Sequence, residues 1–494
     1  MKISEILKRN DILSEDDYED LIFNSICRIP EDADKKSLFF DLFSESSDRT
    51  RYIKNLYEIS PLAIVTDRPV DFENSTIPII AVKNARRSYA FAYSKICNID
   101  YNKLIFIGIT GTNGKTSTAT ILKDILESVG IKVGFIGTGK IISNGRLLST
   151  DNYSMTTPDP EILYDAIKRI ENDGCEIIIM EVSSHSLALE KTAPIPFYLS
   201  IFTGLSSEHM DFHKNMDNYF REKEKLIASS AKAIINCDDK WGKKLYLKYY
   251  NKSKSIGLNG PYDYKAVAIK NRGLDGSQYV LKTQKFSSKV TLSLPGRFNI
   301  YNATLAFAAA SELGITPCDI KSAIKKIQNI DGRMEIIKSD VTVIIDYAHT
   351  PFALENLLTT ATECIKPDRN IILVFGCGGE RDREKRPQMA FVAEKFCSKI
   401  IVTNDNPRNE DDNRIIEDIC KGFTKNCYGV IKNRSEAIEY AIKTAKFGDL
   451  VIISGKGHEK YMLDSEGYRS FNEKSIIENS LKIRESRRLN ENKA

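Results

Sequence analysis

Leu104 to Ile109 forms a nearly unbroken apolar run, after which the rhythm changes: Ala119, Ile121, Leu122, Ile125 and Leu126 return at helical spacing until Gly130. A short apolar run followed by a 3.6-residue repeat predicts a buried strand leading into a helix with one apolar face. The exchange recurs downstream as strand Val133 to Ile136, helix Glu161 to Glu171 and strand Glu176 to Val182. Repeated units with fully apolar strands predict a wound parallel sheet. From Tyr262 to Leu294 the helical rhythm gives way to a strand-like one that ends at Pro295-Gly296, and this stretch is expected to pack beside the sheet. After Asp331-Gly332-Arg333 a further set of units begins, with strands Val341 to Asp346, Asn370 to Phe375, Lys399 to Thr403 and Leu450 to Ser454. Residues 1 to about 100 hold strand-like Ala63-Ile64-Val65 and Ile77 to Val82 among helical stretches. The pattern predicts an α/β protein of three domains: 1–100, a central parallel ATPase-type sheet over 101–331, and a Rossmann-like sheet over 332–494.

Composition narrows the class. A chain of 494 residues is too long for one core. Its 71 basic and 67 acidic residues leave a net charge of only +4, so nothing in the balance demands nucleic acid or an anionic membrane. The expected partners are small molecules, with no nucleic acid and no membrane insertion, and the chain is expected to act as a monomer. Ten cysteines lie scattered without C-x-x-C pairs, which argues against a zinc site or disulfide framework and for reduced, mostly buried thiols. No apolar signal core follows Met1 and no run reaches the length of a membrane helix, so a cytoplasmic location is expected. The charged tail Arg484 to Ala494 reads as a helix end fraying into solvent.

The candidate chemistry starts where the first strand meets its helix. Gly111-Thr112-Asn113-Gly114-Lys115-Thr116-Ser117 is a glycine loop ending in Lys-Thr. Glycines there let successive amide N–H groups converge on phosphate oxygens at the positive end of the helix. Lys115 adds a point charge, and Thr116 offers a hydroxyl to a magnesium ion bridging the phosphates. ATP is the expected ligand. The loop is a short variant, because the residue five before Gly114 is Ile109 rather than glycine. An ordinary turn could share the glycines, but the strand and helix flanking this one favour the phosphate reading.

All five histidines fall in polar clusters at predicted strand ends or loops: His185 after Glu181, His209 and His213 around Asp211, His349 after Asp346, and His458 in Gly455-Lys456-Gly457-His458-Glu459. With Asn299-Ile300-Tyr301-Asn302 and Asp331-Gly332-Arg333-Met334-Glu335, these clusters and the loop make seven motifs in order over roughly residues 104 to 475. Together they resemble the Mur ligases.

The resemblance implies an ATP-dependent amide ligase of peptidoglycan synthesis. The carboxylate of a UDP-linked muramoyl dipeptide would be phosphorylated, and an amino acid's amine would then displace phosphate. Lys115, Glu181, His209 and Lys223 would carry catalysis, with Thr116, Glu181 and His209 as magnesium ligands. Lys223, in Tyr219-Phe220-Arg221-Glu222-Lys223, would be carbamylated to N6-carboxylysine; taken without the resemblance, it reads as one of a solvated charge run, Arg221 to Lys225. Asn302, Arg333, Asp346 and His349 would join the loop in binding ATP, Arg333 at the phosphates and Asp346 at the ribose. Thr156, Thr157, Ser184 and Lys191 would contact the muramoyl peptide. The 1–100 domain would bind the UDP moiety, although Ser25 alone remains of an Asp-Ser-Arg motif, here Asn24-Ser25-Ile26. Lys191 stands where arginine is usual and Glu208 where aspartate is commoner.

Substrate choice turns on Asp405-Asn406-Pro407-Arg408, which in the family marks members adding meso-diaminopimelate. A guanidinium can take that substrate's distal carboxylate in a fork, which lysine cannot offer. The expected contacts are Arg386, Asp405, Asn406, Pro407, Arg408, Gly455 and Glu459, with Arg386 and Arg408 left buried and unpaired if lysine bound instead. Lysine or another diamino acid, a folylpolyglutamate-type ligase, and a degraded scaffold that only binds UDP-peptide remain as alternatives.

Overall fold

The computed structural model describes residues 1–8, 11–13, 21–42, 56, 58–68, 77–148 and 155–491. The chain divides into two compact units: Met1–Thr110, Ile131–Ser200 and Arg221–Lys232 form one, and Gly111–Gly130, Ile201–Phe220 and Ala233–Ala494 the other.

The first unit begins with a four-stranded parallel sheet in sequential order, β1 (Ser25–Cys27), β2 (Ser37–Phe40), β3 (Ala63–Thr66) and β4 (Ile79–Ala81). Its strands alternate between two cores: Leu38, Phe40, Val65 and Ile80 meet Ala85, Tyr89 and Ala92 of the helix Ala85–Ile96, while Phe39 and Ile64 pack with Cys27 and Ile77. The unit then supplies β5 (Ile105–Thr110), β6 (Val133–Gly137), β7 (Lys140–Ser143), β8 (Arg146–Leu147) and β9 (Ile177–Glu181). β9 lies between β5 and β6, parallel to both, and β7 and β8 continue antiparallel. Ile109 is in register with Glu181, so the strand that launches the glycine loop ends beside a carboxylate. Ligands of wound sheets collect outside such carboxyl ends. Leu163, Ile167 and Ile170 of the helix Pro160–Asn172 cover Phe106, Ile136, Ile178 and Met180.

The chain enters the second unit within β10 (Phe197–Phe202) and again within β11 (Lys232–Asn236). Next come β12 (Ser253–Gly257), β13 (Tyr264–Asn271), β14 (Ser277–Lys282) and β15 (Ser287–Leu292). The strand-like stretch does not pack beside a sheet as expected. It extends one, because β13 pairs parallel with β12, and β14 and β15 follow antiparallel.

The last sheet runs in the order β16 (Glu335–Lys338), β17 (Thr342–Asp346), β21 (Leu450–Ser454), β18 (Ile371–Phe375), β19 (Lys399–Val402), β20 (Tyr428–Val430). All neighbours are parallel except β16 with β17. Its apolar strands feed both faces. Ile344, Leu373, Phe375, Ile400 and Ile452 pack under the helices Pro351–Cys364 and Lys385–Phe396, and Val343, Ile345, Val374, Ile401 and Ile453 pack under Arg434–Thr444 and Glu473–Glu491. Burial of both faces explains why these strands lack polar alternation. Truncating a buried isoleucine here costs about 2–5 kcal/mol. The closing helix ends at Glu491, and the tail at 492–494 lies outside the described residues. Five of the ten free cysteines are buried, four are half-buried and Cys318 is exposed.

Candidate active site

The glycine loop has the conformation its residues demand. Gly111 and Gly114 hold φ of +145° and +87°, and a Cβ on them would stand 1.9 Å from Thr203 Oγ1 and 2.5 Å from Asn302 Oδ1. Thr203 Oγ1 donates to the Asn113 carbonyl at 2.6 Å, and the Thr112 amide donates to Gly204 O at 2.9 Å, so the loop is clamped from the segment after β10. Lys115 curls back, its Nζ donating to Gly111 O at 3.0 Å and Thr112 O at 2.8 Å. Arg333 reaches the same loop. Its Nη2 donates to Thr116 Oγ1 at 3.1 Å, its guanidinium lies 4.5 Å from the Tyr347 ring centre, and among the described residues its buried Nε has no hydrogen-bond partner. Asn302 Oδ1 accepts from Thr118 Oγ1 at 3.4 Å. The structure thus groups Gly111, Thr112, Asn113, Gly114, Lys115, Thr116 and Ser117 with Asn302 and Arg333.

Asp346 ends β17 and accepts from the amides of Met334 and Ala348, both at 2.7 Å. Burial raises its pKa, a push the neighbouring Arg333 and these two amides oppose without reversing. His349 holds Tyr347 O at 2.9 Å through Nδ1 and lies 3.3 Å from Glu208 through Nε2. Burial pushes the Glu208 carboxyl up, but the hydrogen bond from His349 and the charges of His209, His349 and Lys115 override it and hold the group well below the usual range. Glu208, which stands where aspartate is commoner, belongs to the site through its place between His349 and His209, the latter 3.8 Å away. Of the two places expected for the histidines, a strand end or a loop, His209 takes the loop. It precedes the short helix Met210–His213, seven residues beyond β10, with φ +58°.

In the first unit, Glu181 is fully buried, and Thr138 donates to it through its amide and its Oγ1, both at 3.2 Å. Gly137 leaves the room: a Cβ there would lie 2.3 Å from Glu181 Oε1. Thr157 Oγ1 donates to Glu181 O at 2.9 Å and accepts from the Ser183 amide at 3.0 Å; Thr156 Oγ1 lies 3.2 Å from Thr138 Oγ1. Ser184 starts the helix Ser184–Ala188, capped by Ser183. Lys191 Nζ lies 2.6 Å from Asp159, which also meets Arg28 at 3.0 Å; together these cations override burial and lower the Asp159 pKa. Ser25 Oγ lies 2.9 Å from Ser37 Oγ, apart from those groups in sequence but followed three residues later by Arg28, which bonds Glu161 at 2.6 Å. Lys223 is buried, not solvated, its Nζ 3.5 Å from Thr110 Oγ1.

Among the described residues no three His, Cys, Asp or Glu side chains form a metal-holding group. Magnesium does not require one, since it keeps waters and phosphate oxygens and takes one or two protein ligands. In the first unit the buried Glu181 carboxylate, fixed by Thr138, and in the second the Thr116 hydroxyl are each oxygen donors of the hard kind.

Asp405 to Arg408 follow β19 and form a polar knot with Gly455 to Glu459. Asn406 Oδ1 accepts from Lys456 Nζ at 2.8 Å and from the Leu463 amide at 3.0 Å, while its Nδ2 donates to Glu459 Oε2 at 2.9 Å. Asp405 lies 3.9 Å from the fully buried Lys456 and would meet any Cβ on Gly455 at 2.6 Å. Lys456 was not singled out in the sequence, yet it organises this knot. Arg408, with φ +56°, donates through Nη1 to Gly379 O at 2.8 Å and Asn406 O at 3.3 Å. Among the described residues its Nε and Nη2 make no hydrogen bond, and the side chain lines an open cleft of about 560 Å³ with Lys432, Asp464 and Arg469.

Residues 109–310 match the Mur ligase middle domain, and residues 332–457 the Mur ligase, glutamate ligase domain. A UDP-N-acetylmuramoyl-L-alanyl-D-glutamate–2,6-diaminopimelate ligase of Clostridioides difficile (strain 630) is 37% identical over 489 residues, covering 97% of this chain and 99% of that protein. One of the same name from Aquifex aeolicus (strain VF5) is 39% identical over 444 residues, covering 86% and 87%. A solved structure of that ligase superposes with a TM-score of 0.68 at 26% identity, covering 98% of this chain and 99% of the other. The chain belongs to the Mur ligase family.

As a Mur ligase it is an ATP-dependent amide-forming enzyme, and one of its expected substrate contacts needs correction. Arg386 is not free for a carboxylate of a ligand. It is completely buried, forked onto Glu410 at 2.8 Å through both Nη1 and Nη2, and bonded to Asp418 at 3.1 Å. Binding lysine would therefore not leave it unpaired. The arginine that lies near Arg408 is Arg381. A Cβ on Gly378 would touch Arg408 Nη1 at 3.0 Å and Arg381 Cγ at 3.9 Å, and burial, with the Arg381 charge second, lowers the Arg408 pKa. Two guanidinium groups that repel one another invite an anion between them.

Proposed function

We propose that this Mur ligase adds meso-diaminopimelate to UDP-N-acetylmuramoyl-L-alanyl-D-glutamate in peptidoglycan synthesis. A carboxylate oxygen of the dipeptide attacks the γ-phosphorus of ATP and ADP leaves. The amine, having lost its proton, attacks the acyl phosphate and phosphate departs with the C–O bonding pair. Lys115 in the loop and Arg333, which reaches the loop at Thr116, would meet the phosphates, and Asp346 and His349 would serve the adenosine side. Bound magnesium would offset the repulsion between γ-phosphate and carboxylate. Thr116, Glu181 and His209 are the residues that would hold it. Lys223 would take up carbon dioxide as N6-carboxylysine, exchanging a cation for an anion; its burial beside Thr110 supports this over a solvated role. Thr156, Thr157, Ser184 and Lys191 receive the muramoyl peptide, and Ser25 the UDP end. The domain division at 100 and 331, a monomeric state and a cytoplasmic location belong to the same reading; among the described residues no helix is long and apolar enough to cross a membrane.

The observation that carries the choice of amino acid is Arg408: Nη1 is spent on two carbonyls while Nε and Nη2 stay available beside Arg381 at an open cleft. The distal carboxylate of diaminopimelate suits that edge, with Asn406 and Glu459 for the polar and ammonium groups. Pure protein with ATP, magnesium and UDP-muramoyl dipeptide, given diaminopimelate, lysine or ornithine separately, should release phosphate and a product of matching mass with diaminopimelate. Preference for lysine would overturn the reading.

A further inference from the structure

Two loops meet at Arg408, and neither holds its shape by itself. The loop 376–384 follows β18 and the loop 404–411 follows β19, and their backbones touch: Gly379 N donates to Asn406 O at 2.9 Å, and a Cβ on Gly379 would lie 1.9 Å from Pro407 O. Each contains a non-glycine residue in the left-handed region, Glu380 at φ +52° and Arg408 at +56°. Such residues persist only where their surroundings over-determine them.

Glu410 supplies that determination. Its Oε2 accepts from the Glu380 amide at 3.0 Å, which fixes one left-handed residue, and its own amide donates to Pro407 O at 3.1 Å, next to the other. Its carboxylate is gripped from behind by the buried fork of Arg386, whose Nη2 also reaches Gly378 O at 3.4 Å. Arg386 stands on the helix Lys385–Phe396, a rigid element packed on the sheet. Carbonyls of both loops, Gly379 O and Asn406 O, then hold Arg408 Nη1.

We propose that the Arg386–Glu410 pair is a positioning device for amino-acid selection, which sets the direction of the Arg408 guanidinium without touching the substrate. The inference rests on the reading of Arg408 given above. A bidentate fork fixes angle as well as distance, so Arg386 aligns both loops at once. Asp418 meets the same guanidinium from the helix Asp412–Cys420 and, among the described residues, bonds neither loop, which makes it a control for stability alone.

The test compares Glu410→Gln, Asp418→Asn and Arg408→Ala in the full-length enzyme, measuring thermal unfolding, kcat, and KM for diaminopimelate and for ATP. Glu410→Gln should raise the diaminopimelate KM about tenfold while kcat and the ATP KM stay within about twofold. Asp418→Asn should lower the unfolding temperature and leave both KM values alone. If Glu410→Gln is unfolded at the assay temperature, Glu410→Asp, which keeps the charge but shortens the reach, is read in its place. Equal rises in both KM values, or an unchanged diaminopimelate KM, would overturn the device. If Arg408→Ala raises that KM and Glu410→Gln does not, this inference fails alone; if Arg408→Ala changes nothing, the reading of Arg408 fails and the device falls with it.

Discussion

The phosphate loop and the Arg408 loop both present cations from the end of a parallel strand, yet different forces hold them. Gly111 to Gly114 are fixed by close approach: glycines with positive φ, and carbonyls clamped by Thr203 and Lys115. The 404–411 loop is fixed by long charged groups, with Arg386, Glu410 and Arg383 crossing between loops and Arg383 lying 2.9 Å from Glu410. The difference is one of specification. A loop proposed to admit phosphate to bare amides could not carry bulky supports, whereas one proposed to aim a single guanidinium can be braced by buried ions at some cost in stability.

Removing a brace should therefore hurt folding, and crowding the cradle should hurt turnover. Arg386→Met, which leaves the Glu410 carboxylate only Arg383 and the Glu380 amide, should cost about 1–3 kcal/mol in denaturant unfolding. A loss below about 1 kcal/mol would mean that the fork contributes little. Gly111→Ala should lower kcat/KM for ATP about a hundredfold with little change in unfolding, since the loop must shift out of near-attack geometry. Adding Thr203→Ala should restore only part, because the φ of +145° remains; full recovery would show the clash, not the conformation, to be decisive. Arg381→Ala should raise the diaminopimelate KM about fivefold, as befits an exposed charge, and leave the ATP KM unchanged. Lastly, the Arg386 hydrogen bond, the chief cause, holds the Glu410 pKa at about 2 against an ordinary 4.5. A depressed carboxyl stabilises the fold above pH 4.5 and loses that contribution as pH falls towards about 2. The unfolding-temperature gap between wild type and Glu410→Gln should narrow over that interval; a constant gap would contradict the pairing.

The same contrast decides what could be read from residues alone. Strand and helix rhythm located the parallel units within a few residues, since burial on both faces writes itself into apolar runs such as Ile371 to Phe375. The conformation of the glycine loop was legible because positive φ at Gly111 and Gly114 selects glycine. Arg386 was misread because Arg381, Arg383 and Arg386 crowd one short stretch, and which of them turns inward depends on where the Lys385–Phe396 helix begins. Lys223 carried a usable signal. Tyr219, Phe220, Leu226 and Ile227 bury one helical face, and position 223 falls on it. The addition of β13 to β15 to an existing sheet depends on edge pairing, which no local pattern encodes.

The most direct measurement is the ratio of kcat/KM for meso-diaminopimelate to that for L-lysine, in the wild type and in Arg408→Ala. The account predicts a wild-type ratio above about a hundred that collapses at least tenfold in the variant, with ATP kinetics preserved. A ratio near one in the wild type, or one that survives the loss of Arg408, would contradict it.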